Sequence, residues 1–249
     1  NIPGHMMNGI SLHYYTFADS WTNKGNATGF DDNEYFRTIE NAAHIEELIE
    51  RHTAIMDQYD PEKRLGLIID EWGAWYNVEP GTNPGFLYQQ NTLRDALLAG
   101  VSLNIFHKHC DRVKMANIAQ MVNVLQAMIL TEGEKMILTP TYHVFDMYKV
   151  HQDATLLPIE VKCSNYERLG RSLPAVSASA SKDKNGAIHI SLVNIDPAND
   201  IEISCAVRGT NAANVSNAQI ITGENVRACN TFDKPENVRL ANFKGAKYK

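Results

Sequence analysis

The sequence predicts an α/β region built on parallel strands, followed by an all-β region of antiparallel strands. Three observations carry this class. Leu65-Gly66-Leu67-Ile68-Ile69 is an apolar run too short for a helix, as strands buried in a parallel sheet are, and it delivers the adjacent carboxylates Asp70 and Glu71 to its C-terminal end. Short apolar segments alternate with amphipathic ones through residues 1–150, the pattern of β/α units. After residue 150 the apolar period falls to two, and Asn185-Gly186 marks a hairpin turn.

Residues 10–15 read as a strand that ends in His13, Tyr14 and Tyr15. A polar, glycine-containing loop follows over 22–33. Ile39, Ala42, Ile45, Leu48, Ile49, Ile55 and Met56 recur at helical spacing and predict a helix over 35–59. The strand over 65–70 comes next. Pro80, Gly81, Pro84 and Gly85 mark a loop leading to a helix over 86–99, with Gly100 placed as its left-handed cap. Residues 101–106 are expected to form a third strand, ending at His107-Lys108-His109-Cys110-Asp111-Arg112, and residues 115–130 a further helix. Thr139-Pro140, a capping residue followed by proline, opens the last helix of this region. Beyond it, residues 176–180, 188–193, 201–207 and 219–222 alternate with period two, which predicts an antiparallel β-sandwich.

Three β/α units fall short of the eight that close a barrel, and three parallel strands alone leave a buried edge unpaired. The expectation is therefore the last part of a (β/α)8 TIM barrel over residues 1–150 and a β-sandwich domain over 151–249, both within a longer protein. In such barrels the chemistry sits where the strands end, which singles out the 70–71 pair. Neighbouring strand residues point to opposite faces, so alternation allows only one of Asp70 and Glu71 to face a site.

Composition narrows the function. A net charge of −6 disfavours nucleic acid and anionic membrane as default partners. No apolar stretch approaches the ~20 residues of a membrane span. Residues 1–5 carry no signal-peptide pattern, and the sequence specifies neither a cytoplasmic nor an exported location. Cys110, Cys163, Cys205 and Cys229 lack paired spacing and read as free thiols. His107-Lys108-His109-Cys110 contains ligand-type residues, but alternate residues at a strand end rarely converge on two further ligands, so no metal site is expected.

Three blocks occur in order: Ser11-Leu12-His13-Tyr14-Tyr15, then Asp70-Glu71-Trp72-Gly73-Ala74-Trp75-Tyr76, then Lys108-His109-Cys110-Asp111-Arg112 running on through Gln120 to Val124. Together they resemble the C-terminal half of the α-L-arabinofuranosidases of glycoside hydrolase family 51. The resemblance holds at motif level over about residues 8–150 and by architecture beyond. It implies a (β/α)8 barrel plus β-sandwich that removes terminal L-arabinofuranosyl units from arabinan and arabinoxylan with retention. It assigns Glu71 as catalytic nucleophile at the end of barrel strand seven. It places His13 and Tyr15 around that carboxylate and the sugar, Gln120 on a sugar hydroxyl, and Trp75 in the substrate-binding wall. Its acid/base glutamate, in an Asn-Glu pair after strand four, is expected upstream of the His13 block. Asn33-Glu34 is not that pair: it follows no apolar strand and lies where a helix begins, which suits capping.

A retaining glycosidase needs two carboxyl groups about 5–5.5 Å apart, and no cofactor. The expected partner is an arabinose-containing oligo- or polysaccharide, with homo-oligomers common in the family. A chain holding one of the two carboxylates is expected to show little hydrolysis by itself. Two other readings stand beside this one. One is a carbohydrate-binding or structural module centred on the β domain; the other is an endoglucanase- or xylanase-type retaining enzyme of the same barrel clan.

Overall fold

The computed structural model describes residues 6–209 and 214–248; residues 1–5, which bear on the signal-peptide question, lie outside them. Three parallel strands centre the first region: β1 (Gly9–Thr16), β2 (Gly66–Ala74) and β3 (Val113–Ile118), side by side in that order. Helices α1 (Asp32–Ala43) and α2 (Ile45–Tyr59) connect β1 to β2, and α3 (Leu93–Lys108) connects β2 to β3. A hairpin of β4 (Ile129–Glu132) and β5 (Lys135–Leu138) leads into α4 (Pro140–Tyr148). Every strand pair after α4 is antiparallel. The strands are β6 (Thr155–Leu157), β7 (Asn165–Arg168), β8 (Arg171–Pro174), β9 (Val176–Lys182), β10 (Ile188–Asn194), β11 (Gln219–Ile221) and β12 (Leu240–Asn242). The class is the expected one, α/β followed by antiparallel β.

One face of the parallel sheet is sealed by helices. Leu67, Ile69 and Trp72 of β2 are buried there, with the Trp72 ring edge-on to Phe106 of α3 at 5.1 Å and stacked on Phe145 of α4 at 6.1 Å. Capping fixes where the helices start. Asp31 accepts from the Glu34 amide at 2.8 Å while the Glu34 carboxylate accepts from the Asp31 amide, a reciprocal capping box. Thr92 and Asp95 form the same box at the start of α3. Glu34 is therefore engaged in capping a helix terminus.

Six expectations are corrected. The helix over 35–59 is two helices separated at His44. The helix over 86–99 and the strand over 101–106 are replaced by the single helix α3. That helix is buried on nearly all sides, so its apolar run lacks the 3.6 period and mimics a buried strand. Gly100 is no cap but a close-approach point: a Cβ there would lie 2.7 Å from Val193 Cγ2 of β10. The helix over 115–130 is strand β3 followed by a loop, because Met115 and Asn117 face outward while Ala116 and Ile118 face the core, a period of two. Residues 201–207 form no strand; Ile203 and Val207 are both exposed.

The two regions meet along α3, which packs on β9 and β10. The seam is polar. Asn104 bonds Ser177 at 3.0 Å and Ser179 at 2.8 Å, and His107 Nδ1 lies 3.0 Å from the Ser179 hydroxyl. His151 sits between the Ser181 and Ser191 hydroxyls, 2.7 Å from each, with the His107 ring at 4.7 Å and the His189 ring at 6.3 Å. Burial, and then these two imidazoles, lower its pKa to about 4. The unfolded chain therefore binds the proton first, and stability is lost as pH falls from about 6.5 to about 4. Thermal unfolding at pH 5 is expected about 3 °C below that at pH 7 from this residue. His151→Asn should flatten the wild-type slope in that window; an unchanged slope would assign the pH dependence elsewhere.

Candidate active site

The site lies at the C-terminal end of the parallel strands, on the sheet face that no helix among the described residues covers. Alternation along β1 sends Leu12 and Tyr14 to the helices, where the Tyr14 hydroxyl donates to the Asn41 carbonyl at 2.5 Å. Ser11, His13 and Tyr15 take the other face.

Strand β2 departs from simple alternation. Between Ser11–Ile68 and His13–Glu71 the register advances two residues on β1 and three on β2. Between Ile69–Ala116 and Trp72–Ile118 it advances three on β2 and two on β3. The extra residue makes a β-bulge at Asp70-Glu71, a device that re-aims side chains. Both carboxylates consequently share the open face, whereas strict alternation allows only one. The imidazole of His13 spans them, with Nε2 3.3 Å from Asp70 Oδ1 and Nδ1 3.5 Å from Glu71 Oε2.

The two acids have different partners. The Ser11 hydroxyl donates to Asp70 Oδ1 at 2.7 Å, and this bond, ahead of the His13 contact, lowers the Asp70 pKa. Tyr15 donates to Glu71 Oε2 at 2.6 Å. The phenol is held well above its ordinary pKa by burial first, then by its bond to Glu71 and that carboxylate's charge, so it remains the donor. Oε1 of Glu71 accepts no hydrogen bond from the described residues. Just beyond β2, the Trp75 ring stands edge-on to Tyr15 at 5.0 Å. Its backbone amide donates to the Thr16 carbonyl at 2.9 Å, which ties it to the end of β1.

Four of the five residues expected at the site are thus brought together: Glu71, His13, Tyr15 and Trp75. Gln120 is placed differently from the helical position expected of it. It is exposed, two residues past the end of β3, with its amide donating to the Val124 carbonyl at 3.0 Å. It stands at the same end of the sheet, but its side chain makes no hydrogen bond to the other four among the described residues.

Sequence reasoning missed Ser11, which the period-two pattern of Ser11, His13 and Tyr15 would have placed on the site face. It also missed Trp21, Lys24 and Phe17 in the β1–α1 loop; a tryptophan in an otherwise polar loop was the available signal. An apolar recess of about 510 Å³ lies among the loops after β2 and β3, lined by Phe86, Leu87, Tyr88 and Val124, and does not include Glu71. At the 107–110 segment, His107 and Lys108 close α3 instead of a strand, and His109 caps it. His109, Glu46 and Glu50 hold ligand-type atoms within 4.8 Å of one another, and the Lys108 ammonium donates to Glu46 at 2.5 Å, supplying the positive charge there. The four cysteines are free. No helix among the described residues is long and apolar enough to cross a membrane.

The family described as alpha-L-arabinofuranosidase C-terminal domain matches residues 70–249, a region that opens on the Asp70-Glu71 bulge itself. The intracellular exo-alpha-L-arabinofuranosidase of Bacteroides ovatus is 50% identical over 99% of this chain, which covers 48% of that protein. The chain belongs to the family of alpha-L-arabinofuranosidase C-terminal domains. The GH51 arabinofuranosidase from Xanthomonas axonopodis pv. citri, known as a crystal structure, superposes with a TM-score of 0.93 at 46% identity. That match covers 99% of this chain and 50% of the other. A family 51 enzyme from Bifidobacterium longum shares the fold at a TM-score of 0.77 and 23% identity. The chain spans about half the length of the curated relatives it matches most fully.

Proposed function

We propose that this chain supplies the nucleophile, Glu71, of a retaining α-L-arabinofuranosidase acting on arabinose-containing oligo- and polysaccharides. The observation that carries the reading is the Tyr15 hydroxyl donating to Glu71 Oε2 at 2.6 Å, at the rim of parallel strands. The bond fixes one oxygen and leaves Oε1 for attack on the anomeric carbon. As the glycosyl–Glu71 bond forms, the bond to the leaving oxygen breaks, and that oxygen takes a proton from a second carboxylic acid about 5–5.5 Å away. Water then releases the sugar from Glu71, returning its proton to that second group.

The remaining residues position the reaction. His13, steadied by Asp70, keeps its Nδ1 face toward Glu71. Trp75 offers a flat apolar wall to sugar C–H faces, and Gln120 an amide for a hydroxyl. The division of the chain into a barrel part to residue 150 and a β domain from 151 belongs to the same reading. Its support is that the parallel pairs all precede α4 and only antiparallel pairs follow it.

The test is hydrolysis of an aryl α-L-arabinofuranoside by the full-length protein, with the first-formed sugar observed by proton NMR. The expected product is the α-furanose. Initial release of the β-anomer would exclude a covalent intermediate on Glu71. Turnover confined to β-glucosides or β-xylosides would favour the endoglucanase- or xylanase-type reading instead.

A further inference from the structure

The aromatic wall does not stop at Trp75. Trp21, 61% exposed, lies at the tip of the loop after β1, its ring 5.3 Å from Trp75. Phe17 backs both rings, at 5.5 Å from Trp21 and 6.4 Å from Trp75. The tip is tied down. Ala18 donates to the Lys24 carbonyl at 3.1 Å, Ser20 and Asn23 exchange backbone bonds of 2.9 and 3.2 Å, and the Asn23 amide group donates to Asp19 at 3.0 Å. The Lys24 ammonium donates to the Trp21 carbonyl at 2.7 Å and sits 4.7 Å from the Trp21 ring and 5.4 Å from that of Trp75.

Leaving an indole in water forgoes the gain of burying it, and here a bonded turn holds it in that position. Two features suit this surface to a neutral sugar. Indole faces offer apolar area to ring C–H groups, and the ammonium between them offers donors to hydroxyls. The spacing suits a chain of sugars. From Glu71 the steps run through Tyr15 to Trp75, 5.0 Å, and on to Trp21, a further 5.3 Å. On the Glu71 reading Trp75 borders the reacting sugar, and the Trp21 ring stands 5.3 Å from that of Trp75, about one ring-width away.

We propose that Trp21 and Lys24 form a second sugar platform that binds the residue adjoining the one cleaved, giving the site selectivity for oligosaccharides over small aryl glycosides. The inference rests on the Glu71 reading and adds a specificity determinant to it. In the full-length protein, kcat/KM is measured for an arabinofuranosyl trisaccharide and for an aryl arabinofuranoside, in wild type, Trp21→Ala, Trp21→Phe and Lys24→Met. The trisaccharide-to-aryl ratio is expected to fall roughly tenfold in Trp21→Ala, equivalent to ~1.4 kcal/mol of lost contact, mainly through KM for the trisaccharide. Trp21→Phe should restore most of the ratio, and Lys24→Met should lower it about threefold, equivalent to ~0.65 kcal/mol. A ratio unmoved in Trp21→Ala, or equal losses on both substrates, overturns the platform while leaving Glu71 untouched. An unmoved ratio accompanied by a change in oligomeric state assigns the indole to protein contact, which overturns it as well. Wild-type protein that cleaves neither substrate overturns the Glu71 reading and this inference together.

Discussion

Glu71→Gln should lower kcat of the full-length protein on an aryl arabinofuranoside by about 10⁴-fold or more, the scale on which covalent nucleophiles are missed. The amide fills the same space and keeps an oxygen for Tyr15, so the thermal midpoint should move little. Removing the side chain altogether sharpens the expectation. Glu71→Ala with added azide should regain turnover and yield a glycosyl azide of inverted configuration, because the small anion enters where the carboxylate stood. Asp70 shares the face through the bulge but is bound by Ser11 and His13, so Asp70→Asn should cost on the order of tenfold. A larger loss at Asp70 than at Glu71, or azide rescue at position 70 alone, would exchange the roles of the two acids.

The largest effect on stability is expected at Arg112. Its side chain is 1% exposed and makes five hydrogen bonds. Two go to Asp57 of α2, one to the Asp60 carboxylate and one to the Asp60 carbonyl at the end of α2, and one to the Leu65 carbonyl ahead of β2. The Leu67 amide donates to the carbonyl of Arg112 itself at 2.7 Å. One guanidinium thus joins the end of α2 to the starts of β2 and β3. The Leu65 amide first, and Arg112 second, hold the Asp60 pKa down to about 2, so this support is present above the ordinary carboxylate range and fades as pH falls toward 2. Arg112→Leu leaves those acceptors unpaired, and Tm should drop by about 10 °C by calorimetry. Arg112→Lys should recover little, since one ammonium cannot reproduce a planar fork of five donors. A Tm within 2–3 °C of wild type in Arg112→Leu would show that the junction is held by other contacts.

How much of this was legible in the sequence depends on whether the signal was local. β1, β2, the start of α4 and the β9–β10 hairpin follow from apolar runs, a Thr-Pro cap and an Asn-Gly turn, all set by neighbouring residues. α3 and β3 were misread for one reason. A helix buried all round and a strand with one exposed face differ in what surrounds them, and Val101 to Phe106 gives no period to separate the cases. Residues 201–207 show the converse: alternation without a pairing partner makes no strand. At the site, Glu71, His13, Tyr15 and Trp75 were legible through the family resemblance of their motifs; strand ends and alternation by themselves marked only the 70–71 pair and the choice between Tyr14 and Tyr15. The bulge was not legible, since an extra residue on β2 is defined only against the registers of β1 and β3. That is why Asp70 was expected to face away and instead shares the imidazole of His13. Trp21 was hidden for a related reason: its proximity to Trp75 is made by a loop folding back between two strands.

The assignment of Glu71 as nucleophile turns on which carboxylate bonds to the sugar. A 2-deoxy-2-fluoro-arabinofuranosyl donor with a good leaving group slows hydrolysis of a covalent intermediate enough for it to be trapped, digested and located by mass spectrometry. The predicted result is a single fluoroarabinosyl adduct on the peptide containing Asp70-Glu71-Trp72, with fragmentation placing it on Glu71. An adduct on Asp70, on any other residue, or burst-free turnover with no adduct would contradict it.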